Sequence, residues 1–511
     1  LTAPPASGPS PATPTRLEPA AAVAALGGAL LFAFAHTPWS QAVVVEVYTL
    51  QALLVMLFLL ACGRALHPGA DPTLAWPAAG FAAGLALTNH LTGVLLLPGL
   101  VATVLFTLAP ARPRILARVG RTLLALGLPL LLYAYLPVRS LAVPAVCWNP
   151  IDSAQAFLVH VTARQYQGLW GSQGLRLEEL ARFLTRQLPG EAPPLLVALA
   201  TVGLVALFWR SPRFALVSAL TLVLMVVYNL GYPIPDIELY YIPVLAILAL
   251  WAAVGAVTLT RAATRLSGSA GAGVAAVLCL ASLVPLVQHW HENDRHDFRL
   301  IACAVRDTLE PLEPDAVLFT GRYATLTGPA FYSQQVTGLR PDVVVLDYGQ
   351  LASPSLGAKL ERVAPELARA CAAELAAARD TGLRAERGQA YDAVAGGAQL
   401  ARLRRALLEA SVLRRPTSVT SDLYKHPMVA GYLLVPEGLV ARVATRDLLR
   451  PVPLGAVEGP CGRRRDLRGP EEKLIWDDYR VAFLNRAQLL RRHGLENEAA
   501  AFASRAAELA E

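Results

Sequence analysis

The chain has 511 residues, 55% of them hydrophobic and only 16% charged, with a mean hydropathy of +0.44. Soluble globular chains carry about 25% charged residues, so this composition excludes an ordinary soluble enzyme. The net charge of +7 does not point to nucleic acid, because many arginines sit in short loops between apolar runs, where the positive-inside rule accounts for them.

In chain order, residues 1–19 form a Pro/Ala/Ser/Thr linker without the basic and apolar regions of a signal peptide. The chain opens on Leu1, so it reads as a fragment lacking its N-terminus. Nine apolar runs follow, at 20–35, 43–62, 74–87, 91–108, 121–136, 195–209, 213–230, 239–259 and 272–288, and each is expected to cross a bilayer. Gly80-xxx-Gly84 in the third predicts close helix packing. Loops holding Arg64, Arg112, Arg114, Arg118, Arg210, Arg213, Arg261 and Arg265 alternate with the Lys/Arg-free loops 36–42, 88–90 and 231–238. The alternation puts the arginine loops in the cytoplasm and everything chemically unusual on the opposite face.

That face carries His36-Thr-Pro-Trp39, Glu46 and Tyr48, with Glu46 about one turn inside the second span. It also carries Asn89-His90, the Pro-rich loop with Asp236, Glu238, Tyr240 and Tyr241, and the long segment 137–194 with Arg139, Arg164 and Tyr166. Intramembrane charge is costly unless it serves a purpose, which makes Glu46 a candidate site residue. An ion pair orienting helices is the plainer alternative; for Asn89-His90 it is a cap, and for Asp236 and Glu238 a solvated turn. Trp39, Tyr240 and Tyr241 fit interfacial anchors. Stretches 153–166 and 174–187 have the pattern of amphipathic surface helices.

The domain plan is a membrane region over 20–288, a small extracytoplasmic α/β region over 289–356 and a helical region over 357–511. Pro314–Gly321 and Leu339–Asp347 read as buried strands flanking a helix, a β–α–β pattern. Residues 472–511 resemble one tetratricopeptide-like hairpin. Of six cysteines, Cys62 and Cys279 lie in apolar runs, while Cys147, Cys303, Cys371 and Cys461 lie outside and can pair in three ways. No cysteine spacing matches a metal site, and the need for a divalent metal stays open.

An outward site of this kind lacks access to nucleotide sugars, so glycosyl transfer there needs a lipid-linked donor. It also needs a carboxylate base and donors for the departing phosphate, for which Arg139, Arg164 and His90 have the chemistry. A transporter would place charges nearer mid-span and show internal repeats, and no repeat is evident.

The ordered motifs Thr37-Pro-Trp39 through Glu46-Val-Tyr48, Gly84 to Asn89-His90, Leu136-Pro-Val-Arg139, Arg164-Gln-Tyr166, Pro235-Asp236-Ile-Glu238-Leu-Tyr240-Tyr241 and Leu339-Arg-Pro-Asp342 resemble a family of bacterial membrane proteins related to protein O-mannosyltransferases, in the GT-C glycosyltransferase class. The resemblance covers about residues 20–350. It implies a polyprenyl-phosphate sugar as donor, mannose first among sugars, and a hydroxyl acceptor on a protein or glycan at the outer face of a bacterial plasma membrane. It further implies that His36, Trp39, Glu46, Tyr48, Asn89, His90, Arg139, Arg164, Tyr166, Asp236 and Glu238 line the donor or acceptor site, with Glu46 and Asp236 as candidate bases. The family's acidic first outward loop is absent, so its principal base is expected upstream of Leu1 and the chain as given is expected to be inactive. Gly321-Arg-Tyr-Ala also stands where the family tends to be acidic. A carrier or scaffold for lipid-linked glycans is the alternative function.

Overall fold

A computed structural model describes residues 18–67, 72–108, 115–142, 151–191, 194–353, 356–386, 389–446, 449, 459–461 and 470–510. The chain forms two compact units: Leu1–Tyr135 with Tyr166–Arg295, and Leu136–Gln165 with His296–Glu511.

The first unit is helical: α1 (Pro19–Ala33), α2 (His36–Ala42), α3 (Tyr48–Leu66), α4 (Pro72–Asn89), α5 (Leu97–Phe106), α6 (Ile115–Gly127), α7 (Leu195–Arg210), α8 (Pro212–Gly231), α9 (Ile242–Thr264), α10 (Gly268–Ala281) and α11 (Val284–Asn293). The central helix α9 packs against α1, α3, α7 and α10 and buries Ile242, Leu245, Ile247 and Ala252. Among the described residues, five helical stretches are long and apolar enough to cross a membrane: α3, Ile115–Leu141, α8, Ile237–Thr264 and Gly268–Asn293. Counting the bent pairs α1 with α2 (72°) and Leu177–Glu191 with α7 gives up to seven.

The nine expected spans therefore do not all appear. The Ala- and Gly-rich α4, which holds Pro77, and the shorter apolar run Leu91–Phe106 fall short. Exposed leucines such as Leu123, Leu124, Leu131 and Leu132 give Ile115–Leu141 an apolar surface suited to lipid and not to water. The protein is an integral membrane protein.

Small residues set the closest helix contacts. A Cβ added at Gly203 would lie 1.7 Å from the Trp251 carbonyl oxygen, and one at Gly255 would lie 2.0 Å from that of Leu199. Helices α7 and α9 thus touch backbone to backbone, where hydrocarbon gives no hydrophobic drive and close packing must supply the attraction. The expected role of Gly80 and Gly84 holds likewise. Their added Cβ atoms would meet the Thr122 and Leu126 carbonyl oxygens of α6 at 2.7 and 2.3 Å.

The second unit contains a five-stranded sheet of order β2-β1-β3-β5-β4, from β1 (Val317–Thr320), β2 (Val344–Asp347), β3 (Thr417–Thr420), β4 (Leu433–Glu437) and β5 (Val440–Ala444). Both expected strands are present, and β1 runs parallel to β2 and β3. The last two strands form an antiparallel hairpin, and sequence reading did not anticipate β3, β4 or β5. Val317 and Phe319 pack on one face with Leu403 and Leu407; Leu318 packs on the other with Val305 and Leu309. The expected C-terminal helical hairpin is present as Pro470–Arg492 and Glu496–Glu508. Its core joins Tyr479, Phe483 and Phe502 to Leu300 and Ala304.

Cys303 and Cys461 form a disulfide with Cα atoms 6.2 Å apart. Cys371 is a free, buried thiol, and Cys62 and Cys279 are also free. Cys147 and its Trp-Asn-Pro150 motif lie outside the described residues.

Candidate functional site

At one end of the first unit, three tyrosines and a histidine gather around Tyr240. Tyr48 begins α3, His90 follows α4, and Tyr228 and Tyr232 lie at and just beyond the end of α8. The Tyr240 ring centroid is 5.2 Å from that of His90, 5.5 Å from Tyr48, 5.7 Å from Tyr232 and 6.4 Å from Tyr228. Asp236 lies close enough to act electrostatically on Tyr48, Tyr232 and Tyr240, and Glu46 on Tyr48. Burial pushes the Tyr232 phenol above its ordinary range, with the Tyr166 and Asp236 charges adding to the effect. Burial also lowers His90, favouring a neutral imidazole.

Local hydrogen bonds fix this geometry. The Asn89 amide donates to the Val47 carbonyl at 3.0 Å and to Gln51 Oε1 at 3.1 Å, tying the end of α4 to the start of α3. His90 Nδ1 accepts from the Thr92 N–H at 3.3 Å and so starts the following 3-10 turn. A neutral ring accepting at Nδ1 carries its proton on Nε2, which leaves one donor for a ligand. The expected cap and the expected site residue are thus the same histidine.

Residues 166–191 brace the other side. Arg176 donates to the Tyr232 carbonyl at 2.9 Å and to Glu179 Oε1 at 3.0 Å. The Arg176 and Gly171 N–H groups donate to the carbonyls of Leu230 and Gly231, and Trp170 Nε1 donates to that of Tyr228. These contacts satisfy the carbonyls that the end of α8 leaves without intrahelical partners. The Gln187 amide donates to the Glu238 carbonyl, and Phe183 stacks on Tyr241 at 4.1 Å.

Three expectations need correction. Glu46 is not inside a span: it is exposed, in a non-helical stretch that ends where α3 begins at Tyr48. The β-branched run Val43-Val44-Val45 is a poor helix former, so the helix starts later than hydropathy alone indicates. Tyr241 is not an interfacial anchor, because it is buried against Phe183. His36 and Trp39 gather with another set of groups. The His36 ring lies 5.4 Å from His289 with Nε2 at 3.3 Å from Glu292, and Trp39 packs edge-on to Trp290 at 6.0 Å. Beside them the buried Glu191 accepts from the Thr37 N–H at 2.8 Å and from its hydroxyl.

Of the remaining candidates, Tyr166 lies within charge range of Tyr232 in the first unit. Arg139 and Arg164 belong to the second unit and are exposed. Tyr228, Tyr232 and Arg176 were not anticipated. For the two tyrosines the available signal was their spacing by four at the end of an apolar run, just before the acidic loop.

In the second unit the sheet order reverses between β1 and β3, the place where α/β folds commonly bind ligands. Here that place is internally paired. The Gly321 N–H donates to Asp422 at 2.9 Å, and Arg322 bridges Asp422 at 3.6 Å and Asp478 at 2.9 Å. Among the described residues no three His, Cys, Asp or Glu side chains gather as a metal-ligand set.

The fold and site therefore define a polytopic membrane protein with an aromatic, acid-flanked cluster at one end of its helices. Residues 11–112 match the family described as the protein O-mannosyl-transferase TMEM260 N-terminal domain. The chain is also 25% identical over 342 residues to the mouse (Mus musculus) protein O-mannosyl-transferase TMEM260, covering 62% of this chain and 48% of the relative. It thus spans about half the length of that curated relative. No solved structure matches it. These similarities relate the chain to protein O-mannosyltransferases.

Proposed function

We propose that this protein is a membrane glycosyltransferase of the GT-C kind. It moves a sugar, mannose first among candidates, from a polyprenyl-phosphate donor to a protein Ser/Thr hydroxyl at the outer face of a bacterial plasma membrane. The observation that carries the reading is the cluster of Tyr48, His90, Tyr228, Tyr232 and Tyr240 beside Asp236 and Glu46. Aromatic faces suit a sugar ring and the carboxylates suit the proton that must leave the acceptor. The acceptor oxygen bonds to the anomeric carbon while the bond from that carbon to the phosphate oxygen breaks. The electron pair leaves with the phosphate, and a carboxylate takes the hydroxyl proton. The Nε2–H of His90 is a donor for the departing phosphate.

Two observations support the outward placement. The arginine-bearing loops alternate with loops that have none. The Cys303–Cys461 disulfide fits an oxidising compartment for the second unit.

The test is sugar transfer from polyprenyl-phosphate mannose by the protein in membranes, with Asp236→Asn and Glu46→Gln beside the wild type. Loss of a general base lowers transfer about 10²–10⁴-fold at unchanged protein level. Full activity in both variants refutes the assignment of the base, and a wild type inert with every polyprenyl-linked sugar refutes the enzyme reading.

A further inference from the structure

At the carboxyl ends of the parallel strands in the second unit, one tyrosine gathers a guanidinium and an imidazole. Tyr348 directly follows β2, His426 lies in the loop after β3, and Arg404 comes from the helix Ala393–Arg414 that precedes β3. The Arg404 guanidinium lies 3.4 Å from the centroid of the Tyr348 ring. Its Nη1 donates to the Tyr348 hydroxyl and its Nη2 to the Tyr348 carbonyl at 3.1 Å. The His426 ring meets the same tyrosine edge-on, with centroids 4.5 Å apart.

The charge at this place is uncompensated. Among the described residues Arg404 forms no ion pair; a phenol, a ring face and a carbonyl supply dipoles but no counter-charge. One N–H on each of Nη1 and Nη2 remains, and the Nε–H is buried without an acceptor. The neighbouring carboxylates are engaged elsewhere. Asp422, whose charge reaches His426, accepts from the Gly321 N–H and the Thr420 hydroxyl and pairs with Arg322 at 3.6 Å. Asp347 accepts from the Thr327 hydroxyl and the Gln350 N–H, and Glu409 pairs with Arg405. His426 Nδ1 accepts from the Met428 N–H at 3.1 Å, so a neutral ring carries its proton on Nε2 as a donor. Burial, and then the charge of Arg404, holds that ring below its ordinary pKa and so neutral. Tyr348, Arg404 and His426 are all partly exposed, which leaves the cluster open to solvent. A half-buried cation without a counter-charge is costly, and an anion placed against it removes that cost.

We propose that the Tyr348–Arg404–His426 cluster binds a small anionic molecule, with its phosphate or carboxylate group held by the Arg404 guanidinium and the Nε2–H of His426. The loops after two strands that both run parallel to β1 supply Tyr348 and His426, and α/β sheets commonly bind ligands outside the carboxyl ends of such strands. Stacking on the Tyr348 ring fixes the plane of the guanidinium, which suits it to a planar or tetrahedral oxyanion. The proposal stands apart from glycosyl transfer in the first unit and does not rest on it.

The test is equilibrium dialysis of the full chain in uncharged detergent, at fixed ionic strength, against radiolabelled inorganic phosphate and, separately, radiolabelled acetate. Saturable binding of at least one probe is expected, and the one that binds identifies the anionic group. Arg404→Lys keeps the charge but loses the planar fork, and His426→Phe keeps a ring against Tyr348 but loses the donor. Each is expected to weaken binding about tenfold. Arg402→Gln removes an exposed cation from the same helix and is expected to leave binding unchanged. His90→Gln, which removes the phosphate donor assigned to the first unit, is expected to leave it unchanged as well. The melting temperature of each variant is followed alongside, and if Arg404→Lys does not fold, His426→Phe decides. An Arg404 that only fastens Tyr348 to its helix predicts no saturable binding of either probe, which overturns the proposal. Binding that survives both site variants, falls equally in Arg402→Gln, or is lost in His90→Gln alone overturns it too.

Discussion

At the scale of single residues, burial of Lys359 has a thermodynamic consequence. Burial is the largest cause of its depressed pKa, about 8 against an ordinary 10.5. Between those values the unfolded chain binds more protons than the folded one, so stability rises with pH across that window. Below it the buried ammonium costs about 3 kcal/mol. Lys359→Met should therefore melt higher than wild type near neutral pH, and the gap should close toward pH 10. Parallel melting curves across that range would refute this. The same scale shows why the candidate site was only partly legible. Tyr48, His90, Asp236 and Tyr240 were readable as polar residues at the ends of apolar runs, and the structure gathers them. The bracing role of Arg176 was not readable: its pairing with Glu179 is local, but the carbonyls it holds lie 54 and 56 residues away, which no side-chain pattern signals.

At the scale of elements, the α7–α9 contact and the β2 edge each make a prediction. Gly203→Ala forces a methyl group against the Trp251 carbonyl, whereas Gly120 has nothing within 4 Å of an added Cβ. Overpacking typically costs about 1–3 kcal/mol, so Gly203→Ala should lower the melting temperature of the detergent-solubilised protein while Gly120→Ala leaves it near wild type. Equal melting of the two variants would remove the glycine contact from the account. On β2 the outward carbonyls of Val343 and Val345 are taken by Gln334 Nε2 at 2.8 Å and Lys359 Nζ at 3.3 Å. Side chains that cover an open sheet edge block pairing with another chain. Gln334→Ala with Lys359→Ala should therefore cause concentration-dependent self-association, seen as earlier elution in size exclusion; an unchanged profile would refute this.

The strands also show where sequence reading stopped. β1 and β2 are short apolar runs buried on both faces and announce themselves, but β3 is Thr-Ser-Val-Thr and reads as loop. The β4–β5 turn had a usable signal in Glu437-Gly438-Leu439. Gly438 takes the positive φ of +67° that a two-residue hairpin loop favours at its first central position.

At the scale of the whole molecule, hydropathy marked nine apolar runs, whereas among the described residues five to seven helices or bent pairs are long and apolar enough to cross a membrane. A run of apolar residues does not report whether it is long, straight and continuous. α1 and α2 form one bent pair, and Leu91–Phe106 begins as a 3-10 turn. Among the described residues, one disulfide binds positions 158 residues apart, joining the helix Leu300–Leu309 to the segment beyond the sheet. Closing a loop of that size restricts the unfolded chain by about 5 kcal/mol on the chain-entropy model. Cys303→Ser, or reductant added to wild type, should lower the melting temperature of the second unit, and identical melting with and without reductant would show that the link adds nothing.

That link also sets an order of manufacture. Cys303 leaves the ribosome long before Cys461, and every strand of the sheet is made in the interval. The bond therefore cannot guide the early pairing of β1 with β2; it can only seal a sheet whose strands have all been synthesised. A nascent chain halted before Cys461 holds Cys303 as an unpaired thiol, open to a wrong partner such as Cys371. Prompt completion of synthesis, more than the strength of the bond, then decides which cysteine Cys303 keeps.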